Sequence, residues 1–299
     1  MVERSGECIL ELENKMEIAY ETFGEEDNPP LVLVMGLACQ MVVWDEEFCS
    51  QLAEDGFWVI RFDNRDIGRS THFDSYGVPD FPTLFMVGAQ ERPKYVAYTL
   101  EDMAKDLLGL MDHLQIKSAH VAGISMGGMI AQILAANYPQ RVKTLISISS
   151  TTGNPNLPPP TKEASELLYS PLPTDWENFL NSWVHMWQVF SGSVYPIEEE
   201  LAKKWGKESY RRGVNANGVA RQFAAIIASG NRKDSLANIK APTLVIHGDA
   251  DPLIPVEAGK DSAEAIPGAK LEIVQGMGHA LPRVLWPKLI ELIENHAQV

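Results

Sequence analysis

The chain has 299 residues, 45% of them hydrophobic and 22% charged, which is room for one large α/β domain or two ordinary ones and the balance of a soluble globular protein. A formal net charge of −15 repels nucleic acid and anionic membrane surfaces, so neither is expected as a partner. No window approaches the ~18 apolar residues of a membrane span, "MVERSGECILELENK" lacks a signal peptide's apolar stretch, and the sparse Cys8, Cys39 and Cys49 suit a reducing compartment, so the cytoplasm is the expected location.

Residues 8–13 and 16–23 alternate apolar and polar side chains around Asn14, the pattern of an N-terminal hairpin. Short, β-branched, mostly apolar runs follow at 31–35, 57–62, 119–124, 143–149, 242–247 and 270–274, as expected of strands buried on both faces of a parallel sheet. Helical periodicity lies between them. "LEDMAKDLLGLMDHL" (100–114) is opened by Thr99 with Asp102 three residues on, a capping-box spacing, and "MGGMIAQILAANY" (126–138) is closed by Pro139. The alternation predicts an α/β fold with a mostly parallel eight-stranded sheet flanked by helices.

The pattern breaks at "NPNLPPP" (154–160), a connector that cannot continue a sheet. Beyond it, residues 175–190 set Trp176, Phe179, Leu180, Trp183 and Trp187 at helical spacing, and 217–229 is helical again. The expected organisation is an α/β core of residues 1–150 and 236–299, interrupted by a helical cap over 151–235. Residues 78–95, with Pro79, Pro82 and Pro93, are expected to form a loop-like rim or flap.

The chemistry centres on Gly123-Ile124-Ser125-Met126-Gly127, a G-x-S-x-G set between a strand and a helix. That context is the nucleophile elbow, a strained turn that lifts a serine hydroxyl above the sheet edge. The serine needs a base and the base an orienting acid. Of seven histidines, His279 stands on the glycine-flanked loop "VQGMGHALP" after the last strand, where ligands meet parallel sheets. His120 lies in a strand, His113 in a helix, His185 in the insertion and His296 near the C-terminus; His72 precedes the serine, and His247 ends a strand as a core imidazole. For the acid, Asp249 and Asp251 compete in "GDADPLIP"; Pro252 restrains the backbone of Asp251, which favours it. Two backbone N–H groups should face a developing oxyanion: that of Met126 at the helix start, and that of Leu37 in the loop freed to turn by Gly36.

"LVLVMG", "VIRFDNRDIGRS", "GISMGG", "APTLVIHGDADPLIP" and "GMGHALP" stand in the order found in the α/β-hydrolases, and the chain resembles that family nearly end to end, most of all the aclacinomycin methylesterase group. The resemblance implies an α/β-hydrolase fold with a helical cap, Ser125 as nucleophile, Asp251 as acid, His279 as base, and the amides of Leu37 and Met126 as oxyanion donors. It also implies an apolar pocket, for which Gly36, Trp44, Trp183, Trp187 and Leu281 are candidates, with Met126 contributing from the core side and one or two cap tryptophans lining it. Met35 stands where many relatives have histidine and Asp66 where many have glycine, so the sub-family stays open. Asp63, Arg65 and Arg69 are expected to form a structural ion-pair loop.

The expected activity is therefore a serine carboxylesterase acting on a small to medium apolar ester, a small molecule, with no cofactor and no metal. A cofactor-free perhydrolase or haloperoxidase-like reaction on the same residues is the alternative, and a non-catalytic ligand receptor on a hydrolase scaffold is the reading from another class. Oligomeric state is left open.

Overall fold

All eight expected strands form: β1 (Cys8–Glu11), β2 (Glu17–Phe23), β3 (Pro30–Val34), β4 (Trp58–Phe62), β5 (Ala119–Ile124), β6 (Val142–Ile148), β7 (Thr243–Gly248) and β8 (Lys270–Val274). The structure is a computed structural model that describes residues 2–298. The strands make one sheet in the order β1-β2-β4-β3-β5-β6-β7-β8; β1 and β2 pair antiparallel, as do β2 and β4, and every later pairing is parallel. From β3 the chain goes to β4 on one side and later returns to β5 on the other. A strand order that reverses in this way opens a crevice at the C-terminal strand ends, the usual ligand position in such sheets.

The helices are α1 (Glu46–Glu54), α2 (Phe81–Met86), α3 (Leu100–His113), α4 (Met126–Asn137), α5 (Lys162–Tyr169), α6 (Trp176–Ser191), α7 (Glu199–Arg212), α8 (Ala216–Ser229), α9 (Lys233–Leu236), α10 (Val256–Ala265) and α11 (Trp286–Ala297). Thr99 and Asp102 close the capping box of α3. The stretch 78–95, expected as loop, contains α2, whose N-cap is Asp80 and whose second residue is Pro82, a residue pre-set for a helix start.

Side chains on the two faces of the central strands separate into two cores. Leu31, Leu33, Ile146 and Ile148 pack with α1 and α11, whereas Val32, Val34, Val121 and Leu145 pack with α3 and α4. The period of two along a strand enforces this division. The first core continues into Trp183, Trp187 and Trp205 of the helices inserted between β6 and β7, while Ala225 of α8 joins the second, so the insertion packs against both cores. The strands were expected to be buried on both faces; β8 is not, because it is an edge strand with Lys270 and Leu271 exposed.

His120, His247 and His296 are buried, and burial holds each imidazole below its ordinary range, His120 down to about 4 with Lys143 and His296 adding to the effect. Their folded-state pKa values are depressed, so this stabilising contribution is complete above the unfolded value near 6.5 and is lost as pH falls below it. Each such histidine adds a slope of up to ~1.4 kcal/mol per pH unit. We expect urea midpoints to fall between pH 7 and pH 5, and to fall less steeply in His120→Asn; equal slopes in the two proteins would remove His120 from this account.

Candidate active site

Ser125 sits between β5 and α4 at φ 56° and ψ −123°. A serine in this left-handed region is strained and persists only where its surroundings enforce the turn. They do so through close backbone packing. A Cβ at Gly123 would lie 2.2 Å from the Gly127 carbonyl oxygen, and one at Gly127 would lie 2.1 Å from that of Val34. Only glycine lets the turn, the start of α4 and the end of β3 approach so closely. The Ser125 N–H donates to the Ile148 carbonyl at 2.9 Å, and Ser150 Oγ donates to the Ser125 carbonyl at 2.8 Å.

The loop after β3 lies against the serine. A Cβ at Gly36 would be 3.1 Å from Ser125 Cβ, so the Gly36 α-carbon rests on that side chain. Among the described residues the next amide, that of Leu37, has no protein acceptor, and neither does that of Met126 at the first turn of α4, where helix geometry leaves N–H groups free.

His279 Nδ1–H donates to Asp251 Oδ2 at 2.8 Å. Asp251 Oδ1 accepts from the Leu253 and Ile254 amides at 2.9 and 2.8 Å, so the carboxylate has its own backbone cradle, and both groups are buried. The competing Asp249 instead accepts the Gly276 N–H at 2.6 Å on an exposed turn. The His279 loop is fixed by the inserted helices. Its N–H donates to the Phe190 carbonyl at the end of α6 at 2.6 Å, and the two rings meet edge to face at 6.1 Å.

A second histidine flanks the carboxylate. His247 Nε2 lies 3.6 Å from Asp251 Oδ2 and donates to the Ile254 carbonyl at 2.8 Å. The expectation of a core imidazole holds for its position, but its Nδ1 is buried with no partner among the described residues.

A cavity of about 730 Å³ opens above these groups, lined by Ser125, His279, Gly36 and Leu37 from the core side and by Trp183, Trp187 and Trp205 from the inserted helices. Leu281 lines it too, as does Phe85 of the α2 stretch. Three inserted tryptophans therefore reach the cavity where one or two were expected. Trp44 does not line it: its ring stacks on Phe48 at 5.7 Å in the core beside α1. The Met126 side chain is likewise directed away, into the core under α4. No Asp, Glu, Lys or Arg is among the described residues lining the cavity. Cys39 is, and burial pushes its thiol up to about 12, which leaves it a poor rival nucleophile.

Beneath the site, Asp63, Arg65 and Arg69 do act structurally, but largely through partners outside their own loop. Arg65 pairs with Asp106 at 2.6 Å, Asp63 with Arg212 of α7, and Arg69 with Glu7. Asp66 has φ 67°, the conformation that glycine adopts freely. Burial raises the pKa of its carboxyl, but hydrogen bonds from Arg221, Tyr98 and the Phe73 amide outweigh that and hold it below the ordinary value.

Residues that the sequence reading did not single out make further contacts. Gln40 Nε2 donates to the carbonyls of Ser209 and Gly213 at 2.9 and 2.7 Å, Asn64 Nδ2 donates to that of Met35 at 2.9 Å, and Gln222 of α8 touches the loop after β3. The one available signal was Arg221-Gln222, two polar residues in an apolar helical run. Among the described residues, no group of three or more His, Cys, Asp or Glu side chains is placed to hold a metal ion, and no helix is long and apolar enough to cross a membrane.

Comparison with known proteins gives three findings. Residues 29–282 match the family described as alpha/beta hydrolase fold. Rhodomycin D methylesterase of Streptomyces sp. (strain C5) is 30% identical over 93% of this chain and 94% of its own length, and 3-oxoadipate enol-lactonase 2 of Acinetobacter baylyi is 25% identical over 86% and 84%. Among solved structures, a 2-hydroxy-6-oxo-6-phenylhexa-2,4-dienoate hydrolase from Rhodococcus sp. strain RHA1 superposes with a TM-score of 0.76 at 21% identity, covering 100% of both chains, a likeness of fold.

Proposed function

We propose that this chain, which belongs to the α/β-hydrolase fold family, hydrolyses a carboxylic ester through a covalent acyl-enzyme, with Ser125 as nucleophile, His279 as base and Asp251 as the orienting acid. The observation that carries the reading is the 2.8 Å bond from His279 Nδ1–H to a backbone-cradled Asp251, on the wall of the cavity that Ser125 enters from its strained turn.

The steps follow from this arrangement. Asp251 keeps the proton on Nδ1, which leaves Nε2 bare to accept the Ser125 hydroxyl proton. The oxygen attacks the ester carbon, and the carbonyl oxygen becomes an anion facing the Leu37 and Met126 amides. Loss of one such donor costs about 3 kcal/mol of transition-state stabilisation. On collapse the C–O bond to the alcohol breaks and His279 returns its proton to the departing oxygen. Water then attacks the acyl-enzyme with His279 again as base, releasing the acid and restoring the serine.

The substrate class follows from the wall chemistry. A carboxylate buried in this cavity would meet no Lys or Arg among the described lining residues, and an unpaired buried charge is costly. The relatives fall on two sides of this criterion. The enol-lactonase and the dienoate hydrolase carry the names of carboxylates, whereas the methylesterases carry the name of an ester. The apolar wall favours a neutral ester, and about 730 Å³ lies in the upper part of the range for drug-sized ligands, beyond what a small ester needs. A methyl or other small-alcohol ester of a bulky, uncharged, ring-containing acid is the reading we favour.

The test uses a fluorophosphonate probe and paired aryl esters with and without a carboxylate on the acyl group. The probe should label Ser125 alone, Ser125→Ala should lose activity by about 10⁶-fold, and the neutral esters should be turned over faster. Labelling at another residue, or an active Ser125→Ala protein, would end the proposal.

A further inference from the structure

The loop after β3 holds an unusual turn. Ala38, next to the Leu37 amide, has φ 64°, a left-handed conformation that a residue with a Cβ adopts only at a cost. No glycine supplies it, so something outside the loop must stabilise it. Its amide is taken up by a residue 184 positions away: Ala38 N–H donates to Gln222 Oε1 at 3.2 Å. Gln222 is wholly buried in α8, and its Nε2 donates to the Arg65 carbonyl at 2.7 Å, so both ends of the carboxamide are engaged and its orientation is fixed.

A second clamp grips the same loop. Gln40 Oε1 accepts from Arg212 Nε at 2.8 Å while its Nε2 bonds to the carbonyls of Ser209 and Gly213 around the end of α7. The loop is thus tied to the inserted helices at Ala38 and at Gln40, and to the core where Asn64 holds the Met35 carbonyl and Asp63 accepts the Met41 N–H. The Leu37 amide, next to the Gly36 that rests on Ser125, meets no protein acceptor among the described residues.

We propose that Gln222 is a positioning residue for the oxyanion hole. By accepting the Ala38 amide it holds the left-handed turn that aims the Leu37 N–H at the oxygen of the substrate carbonyl. The inserted helices then contribute to the catalytic step itself, besides walling the cavity. This inference rests on the esterase reading above.

Gln222→Met keeps the length and removes both hydrogen bonds, leaving Ala38 to relax out of its turn. Glycine at position 38 adopts the same φ without the Cβ penalty, so Ala38→Gly should partly restore what Gln222→Met loses. With a p-nitrophenyl ester we expect Gln222→Met to lower kcat by 10- to 100-fold with KM changed less than threefold, and to slow fluorophosphonate labelling of Ser125 in parallel; that loss is smaller than the ~10²–10³-fold given by losing a whole donor. The double variant should recover at least threefold of the kcat. Gln222→Asn, too short to span Ala38 and Arg65, serves if Gln222→Met does not fold, and should show the same kcat loss and the same rescue.

A kcat within twofold of the parent in the folded variant, or a loss that Ala38→Gly does not recover, overturns the inference. Ser125→Ala is assayed beside them. If it is inactive, such a result removes only the role of Gln222; if it is active, the esterase reading itself has failed.

Discussion

Asp251→Asn lowers kcat by about 10⁴-fold and leaves the fold intact. Both halves of this expectation come from the way the carboxylate is held. Oδ1 accepts the Leu253 and Ile254 amides, and an amide oxygen does this equally well, so the turn after β7 survives. Oδ2 faces His279 Nδ1, and there an NH₂ group donates where the carboxylate accepted. The imidazole responds by carrying its proton on Nε2, the nitrogen that must be bare to deprotonate Ser125. The competing aspartate two residues earlier provides the control. Asp249 bonds only the Gly276 amide on an exposed turn, so Asp249→Asn should change kcat by no more than about twofold. Steady-state kinetics on a neutral aryl ester separate the two; if Asp249→Asn were the crippled variant, the assignment of the acid would move to it.

The second large effect concerns the joint between α8 and the core. Arg221 and Asp66 are both inaccessible to solvent, bonded at 2.7 and 2.8 Å through two nitrogens, and Arg221 also reaches Asp74 and the Gly77 carbonyl. The hydrogen bond to Asp66 above all, opposed by burial, holds the guanidinium above its ordinary pKa. Removing one partner of a buried pair leaves the other uncompensated, at a cost of about 3–5 kcal/mol. Arg221→Met should therefore lower Tm by roughly 10 °C. Adding Asp66→Asn should recover part of the loss, since asparagine tolerates the left-handed φ and carries no charge to strand. Calorimetry on the three proteins decides it: a double variant no more stable than Arg221→Met would mean that packing of the long side chain, not the stranded charge, sets the cost.

The features legible in the sequence share a property: each is encoded over a few residues. The strands follow from period-two apolar runs, the capping box of α3 from Thr99 and Asp102 at the spacing of one helical turn, and the turn at Ser125 from glycines two before and two after it. Pro252 pointed to Asp251 through its effect on the preceding backbone, and Asp251 is the acid bonded to His279. Where the reading went astray, orientation was at stake. Trp44 is apolar and lies near the loop after β3, but its ring packs on Phe48, and no local pattern says which way a side chain turns once its segment docks.

The sequence by itself determined the α/β order of elements, the nucleophile-elbow motif and the short list from which acid and base were drawn, because backbone preference and hydrophobic period act between near neighbours. Only the tertiary structure decided that Asp251 rather than Asp249 meets His279, that three inserted tryptophans wall a cavity free of charged side chains among its described lining residues, and that Gln222 holds an amide 184 positions away. The first joins the loops after β7 and β8, and the others join α6, α7 and α8 to the core. Hydrogen bonds across such separations depend on where two surfaces come to rest, which residue spacing along a chain does not encode.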